Sequence, residues 1–151
     1  MKAHIYNLSE IQIRYNPKIP ALEKPRVTSS DDAYKQFLLL FDMDQINIKE
    51  EAAVLYLNRG NRVIGGYKLS TGGITGTVVD IRIILGIALK CLSPNIIIAH
   101  THPSGELNPS TKDKEFTERL KLAAELMEIR LLDHLIVTMD NYLSFVDGGL
   151  T

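Results

Sequence analysis

The apolar run Ile96-Ile97-Ile98-Ala99 leads directly into His100-Thr101-His102-Pro103, and no other stretch of the chain restricts its fold as tightly. An aliphatic run closed by a proline reads as a short buried strand. In extended backbone, residues two apart project to the same side, so His100 and His102 can aim both imidazoles at one point. A loop containing Gly105 and Pro109 follows, and Ser110-Thr111-Lys112-Asp113 then opens a long amphipathic stretch. Asp113 therefore falls in a helix's first turn, from where its carboxylate can swing back to the strand end. Two imidazoles and one carboxylate leave a fourth tetrahedral position for water, the layout of a catalytic zinc site. Polar groups gathered at a strand end without compensation would cost stability, and a metal would satisfy them. The stretch points to hydrolysis.

The chain of 151 residues is long enough for one domain with a real core. Its formal net charge of -1 supplies no general attraction to a phosphate backbone or an anionic membrane. Cys91 is the only cysteine, so no internal disulfide forms; its aliphatic neighbours suggest an inert core thiol in a reducing compartment. The N-terminus has no apolar secretory segment, and no apolar run approaches the roughly 20 residues that span a bilayer. A cytoplasmic protein is expected.

Residues 1 to about 27 read as an N-terminal arm, with Pro17, Pro20 and Pro25 and an alternating Ile11/Ile13 piece. Thr28-Ser29-Ser30-Asp31 offers a helix N-cap, and Ala33, Phe37, Leu38, Leu40 and Phe41 recur at helical spacing up to about Asp42. Residues 44–49 read as a polar connection. Residues 50–57 form a strand, Asn58-Arg59-Gly60-Asn61 a turn, and residues 62–69 the hairpin partner. The glycine-rich bend from Ser70 to Gly76 matches neither GxGxxG nor a Walker loop, and reads as a tight turn or bulge. Val79 to Leu92 reads as a largely buried helix. After the motif strand and its helix (about 110 to 128), residues 129–139 and 142–145 supply two strands across Asp140-Asn141. The order helix, strand, strand, helix, strand, helix, strand, strand predicts an α/β fold with a mixed sheet flanked by helices.

His100-x-His102, seven residues, Ser110, two residues, Asp113 resembles the JAMM (JAB/MPN+) metallopeptidase signature without a gap. His102-Pro103-Ser104-Gly105, Pro109-Ser110 and Leu132-Asp133-His134-Leu135-Ile136-Val137 resemble its bacterial RadC-like branch, the so-called DNA repair protein RadC family. The likeness covers about residues 28 to 151. It implies a JAB/MPN-like, cytidine-deaminase-like fold, with one zinc ion per chain held by His100, His102 and Asp113. It also implies that Ser110 supports the oxyanion and that a glutamate upstream of the hairpin is the base. Counting back from Val54-Leu55-Tyr56-Leu57-Asn58 puts that glutamate at Glu50, with Glu51 one residue away as the alternative. Two departures stand out. Thr101 replaces the asparagine usual in RadC-like proteins, and the arm has no room for the helix-hairpin-helix module of full-length RadC.

Chemistry supplies the need for the glutamate independently. Zinc can lower the pKa of bound water to about 7, but a carboxylate must still take its proton and deliver it to the leaving amine. Plainer roles stand beside these. Ser110-x-x-Asp113 is also a capping-box pattern, and His134, after Asp133 at the start of an apolar strand, reads either as a histidine backing the metal ligands or as a structural one, the structural role being preferred. The first reading is a zinc-dependent hydrolase of peptide or isopeptide bonds, with a peptide or protein substrate. It expects no autonomous DNA binding and no membrane association, and it is compatible with a homodimer. Two rivals are a DNA-associated accessory factor of replication, repair or mobile elements, and a redox iron site built on the same facial triad.

Overall fold

The computed structural model describes Ser9, Gln12 and residues 14–71 and 79–151. Over these the order is α1 (Ser30–Leu40), β1 (Glu51–Leu57), β2 (Val63–Thr71), α2 (Ile81–Cys91), β3 (Asn95–Thr101), α3 (Thr111–Leu126), β4 (Arg130–Val137) and β5 (Tyr142–Ser144). Each helix begins where the sequence supplies a polar cap. Ser29 accepts the Asp32 N–H, Asp80 that of Arg82, and Ser110 that of Asp113.

The strands form one mixed sheet in the order β2-β1-β3-β4-β5. Only β3 and β4 run parallel, with α3 as their crossover. This is the α/β fold with a mixed sheet that the element order predicts, and it agrees with the JAB/MPN-like fold that the resemblance implies. Strands β1 and β3 are buried along their whole length, which requires cover on both faces of the sheet. Ala53, Leu55 and Leu57 of β1, with Ile97 and Ala99 of β3, pack with Phe37 and Phe41 on the α1 side. Val54 and Tyr56, with Ile96 and Ile98, pack instead against Ile84 and Ala88 of α2 and Leu120 and Ala124 of α3. Odd-numbered residues of both strands thus face α1, and even-numbered residues face α2 and α3.

Strand β4 breaks this alternation once. Ile96 pairs with Leu131, but Ile97 pairs with Asp133, so Leu132 is an extra residue in the ladder. Leu131 packs against the α2/α3 core and Leu132 against the α1 core. Leu135 and Val137 also lie in the α1 core, so strict alternation has resumed after the bulge with the opposite parity to Leu131.

Two features depart from the sequence-based expectation. The connection at 44–49 is not wholly polar, because Ile46 is 1% exposed and plugs the α1-side core. The arm is stitched to the domain at its end: the Val27 N–H donates to the Asn61 carbonyl and the Val63 N–H to that of Pro25, each at 2.8 Å. Ahead of that seam, Ala21–Glu23 forms a 3-10 turn that the proline spacing did not reveal. Ile11, Ile13 and most of the glycine-rich bend (from residue 72 on) lie outside the described residues. Among the described residues, no helix is long and apolar enough to cross a membrane.

Phe37 is fully buried between α1 and the sheet. Phe37→Ala should cost about 3–5 kcal/mol, read as a lower urea midpoint. Metal uptake by the molecules that remain folded should be unchanged, because the site described next lies on the other face. Loss of uptake in the folded population would show that the two faces are coupled.

Candidate metal centre

The alternation of β1 and β3 decides which polar groups meet. Ala52 pairs with His100 across the two strands, and both are even-numbered residues facing α2 and α3. Glu50 shares that parity and lines the same cavity as Ala52, His100 and Asp113. Glu51 has the opposite parity. Only 2% exposed, it accepts from the Asp42 N–H at 3.1 Å and lies 3.4 Å from Lys68 Nζ. Of the two glutamates left open by the sequence count, Glu50 is therefore the one beside the histidines. Thr101, on the Glu51 side, is fully buried, and its Oγ1 accepts the Glu51 N–H at 2.9 Å. The departure at this position closes the end of the β1–β3 ladder.

His102 lies one residue past β3, yet its N–H still donates to the Val137 carbonyl at 3.0 Å, which continues the strand direction. The chain then turns back, with the Gly105 N–H donating to the His102 carbonyl at a φ of 82°, a conformation that favours glycine. That turn brings the Glu106 carbonyl to 2.7 Å from His102 Nδ1. A carbonyl only accepts, so Nδ1 carries the ring hydrogen, and Nε2 of the neutral ring is bare.

Asp113 is fixed by the start of α3. Ser110 Oγ accepts the Asp113 N–H at 3.1 Å, and Asp113 Oδ2 accepts the Ser110 N–H at 2.8 Å. This reciprocal box holds the carboxylate with Oδ1 3.3 Å from His100 Nε2 and Oδ2 3.4 Å from His102 Nε2. The two Nε2 atoms are 2.9 Å apart. Glu50 offers a carboxylate oxygen that, with the two imidazole nitrogens, forms a group within 4.8 Å of one another. The sequence-predicted ligands His100, His102 and Asp113 thus come together, and Glu50 joins them. Ser110 is an exposed helix cap whose hydroxyl still has its own hydrogen to donate.

The electrostatics suit a bound cation. Burial alone would raise the Asp113 pKa, but His100, His102 and the Ser110 N–H outweigh it and hold the carboxyl well below the usual range. Burial likewise depresses His102, yet Asp113, the Glu106 carbonyl and Glu50 together raise it above the ordinary histidine value. Imidazole nitrogens and carboxylate oxygens converging on one point fit a divalent ion with nitrogen and oxygen ligands. Beside them opens a cavity of about 160 Å³ walled by Ala52, Leu69, Val79, Ile98 and Phe116, with Lys112.

One participant is only half legible in the sequence. His134, for which the structural role is preferred above, lies with Nε2 2.7 Å from His100 Nδ1, the placement of a histidine that backs a ligand. Its only sequence signal is the Asp133-His134 pair at the head of an apolar strand, which does not reveal which way the ring points.

A family described as "RadC-like JAB domain" matches residues 27–150. A UPF0758 protein of Flavobacterium johnsoniae is 43% identical over 129 residues, which is 85% of this chain and 55% of that protein. One of Porphyromonas gingivalis is 42% identical over 138 residues, 88% of this chain and 59% of that protein. UPF0758 protein YeeS of Escherichia coli is 40% identical over 129 residues, 85% of this chain and 86% of that protein. The chain therefore spans little more than half the length of the first two of these relatives.

His102→Ala should remove most of the metal from zinc-loaded, dialysed protein, measured by elemental analysis against one ion per wild-type chain. Full occupancy in that variant would remove His102 from the ligand set. Glu51→Ala should do the reverse. It should keep the metal and lower stability by roughly 1–3 kcal/mol, because the Asp42 N–H loses its acceptor.

Proposed function

This chain belongs to the RadC-like JAB domain family, and on that premise we propose that it is a zinc-dependent hydrolase of peptide or isopeptide bonds. The observation that carries the reading is the convergence of Glu50, His100, His102 and Asp113 at one end of the sheet, beside a largely apolar cavity. His100, His102 and Asp113 would hold the ion. When bound, it would polarise the scissile carbonyl and bring the pKa of a coordinated water to about 7.

The remaining chemistry falls to the chain's own side chains. Glu50, on the same face as the two imidazoles, takes the proton of the attacking water and returns it to the leaving amine. The Ser110 hydroxyl keeps its hydrogen while accepting the Asp113 N–H, so it can donate to the carbonyl oxygen as negative charge develops there. The cavity walled by Leu69, Val79, Ile98 and Phe116 suits an apolar side chain next to the scissile bond. A cytoplasmic setting, consistent with a single and partly buried cysteine, belongs to the same reading.

Two variants test it. In a proteome digest read by newly formed N-termini, zinc-loaded wild type should yield cleavages that Glu50→Gln does not. Glu50→Gln should retain its metal and lose a factor of about 10² to 10⁴ in rate. A fully active Glu50→Gln protein would remove the proposed base, and wild type that yields no cleavages would contradict the peptidase reading.

Ser110→Asp separates capping from catalysis. Aspartate caps a helix well but cannot donate when ionised. The variant should melt near the wild-type temperature and hydrolyse almost nothing. A stable, fully active Ser110→Asp enzyme would show that this serine only starts a helix.

A further inference from the structure

The hydrogen bonds behind His100 form a chain whose direction can be worked out atom by atom. Thr117 Oγ1 lies 2.7 Å from the Asp113 backbone carbonyl, one turn earlier in α3. A carbonyl only accepts, so the single hydroxyl hydrogen of Thr117 is committed to it. The same Oγ1 lies 2.6 Å from His134 Nδ1. With its hydrogen spent, it can only accept, so His134 Nδ1 carries the ring hydrogen. His134 is 2% exposed and stacks on Phe145 at 4.4 Å between ring centroids. The ring touches a hydroxyl, an imidazole and a phenyl group and no carboxylate, so a buried imidazolium would have no anion against it; the ring is neutral and Nε2 is bare. His100 Nδ1, 2.7 Å from that bare nitrogen, must therefore donate to it. His100 is left with its own Nε2 bare, 2.9 Å from the bare Nε2 of His102.

We propose that Thr117 and His134 are positioning residues for the metal centre: the relay from His100 through His134 and Thr117 to the Asp113 carbonyl locks His100 in the tautomer that presents Nε2. The relay also ties both ends of the site together, since it begins on a ligand of β3 and ends on the backbone of the α3 residue that supplies the carboxylate. Metal-ligating histidines commonly donate their second N–H to a carboxylate, a backbone carbonyl or water. Here the acceptor is a second imidazole, and its own tautomer is set one step further back by a threonine. The bulge at Leu132 is what makes this contact. It returns His134 to the α3 side, whereas unbroken alternation from Leu131 would have turned it toward α1.

This inference rests on the metal-centre reading above, and the experiment separates the two. Thr117→Val keeps the shape and removes the hydroxyl, whereas Thr117→Ser keeps the hydroxyl. Histidine ring tautomers are read in metal-free protein by long-range proton–nitrogen correlation, well above the ordinary histidine pKa. Zinc affinity is read by competition with a chromophoric chelator, and folding by thermal melting. Wild type and Thr117→Ser should both show His100 and His134 protonated at Nδ1, with similar zinc affinities. In Thr117→Val, the buried His134 Nδ1–H has no acceptor. The hydrogen then moves to Nε2 and forces His100 into the opposite tautomer, with its hydrogen facing the site. Zinc should bind about 10–100-fold more weakly to this folded variant.

A folded Thr117→Val protein with wild-type tautomers and wild-type affinity would overturn the relay. So would His100 protonated at Nε2 in the wild type. Wild type that takes up no zinc overturns the metal reading and with it the purpose of the relay, and the ring spectra distinguish that result from failure of the relay itself.

Discussion

Strands β1 and β3 pair antiparallel and are covered on both faces, so each side chain along them can only face α1 or face α2 and α3. Everything polar at their shared end is sorted by that constraint. Glu50 and His100 go to one side, and Glu51 and Thr101 to the other. A one-residue slip of β1 against β3 would exchange the two glutamates, bringing the Lys68-paired Glu51 to the histidines and burying Glu50 beneath α1. The aliphatic cores on the two faces resist such a slip, because it would also reverse Val54, Leu55 and Tyr56. The packing that stabilises the fold is thus also what selects the residues of the site.

The first turn of α3 adds the third partner by equally local means. A helix must satisfy its leading N–H groups, and the Ser110–Asp113 box does so. In doing so it leaves the Asp113 oxygens toward His100 and His102. Capping and ligand positioning are therefore one arrangement, which is why the same four residues read as a helix start and as half of a metal motif. Thr117, one turn on, extends the logic by accepting from His134 while it donates to the Asp113 carbonyl.

How much of this was legible depends on whether a local rule was left intact. The helix and strand order was readable because apolar periods of two and 3.6 residues alternate with clear caps and turns. The convergence of His100, His102 and Asp113 was readable from two-residue spacing and a first-turn carboxylate. Glu50 could be brought only to within one residue, because nothing in Glu50-Glu51 states which way the strand faces until its core partners are known. Ile46 was lost in a polar-looking connection, since Ile46 and Ile48 look alike in the sequence and only Ile46 is buried. Between its two readings, His134 could not be decided, for a sharper reason. Its orientation depends on the extra residue at Leu132, and a bulge inverts the parity that any pattern-based reading assumes.

The central claim is that two imidazoles and a carboxylate at this sheet end hold one divalent ion. X-ray absorption at the zinc edge of the loaded protein tests it most directly, because it reports the donor atoms around the metal itself. The account predicts scattering from two imidazoles with the remaining donors all oxygen, and one of the imidazoles disappearing in His100→Ala. A sulfur donor, a shell without imidazole, or a spectrum unchanged by His100→Ala would contradict it.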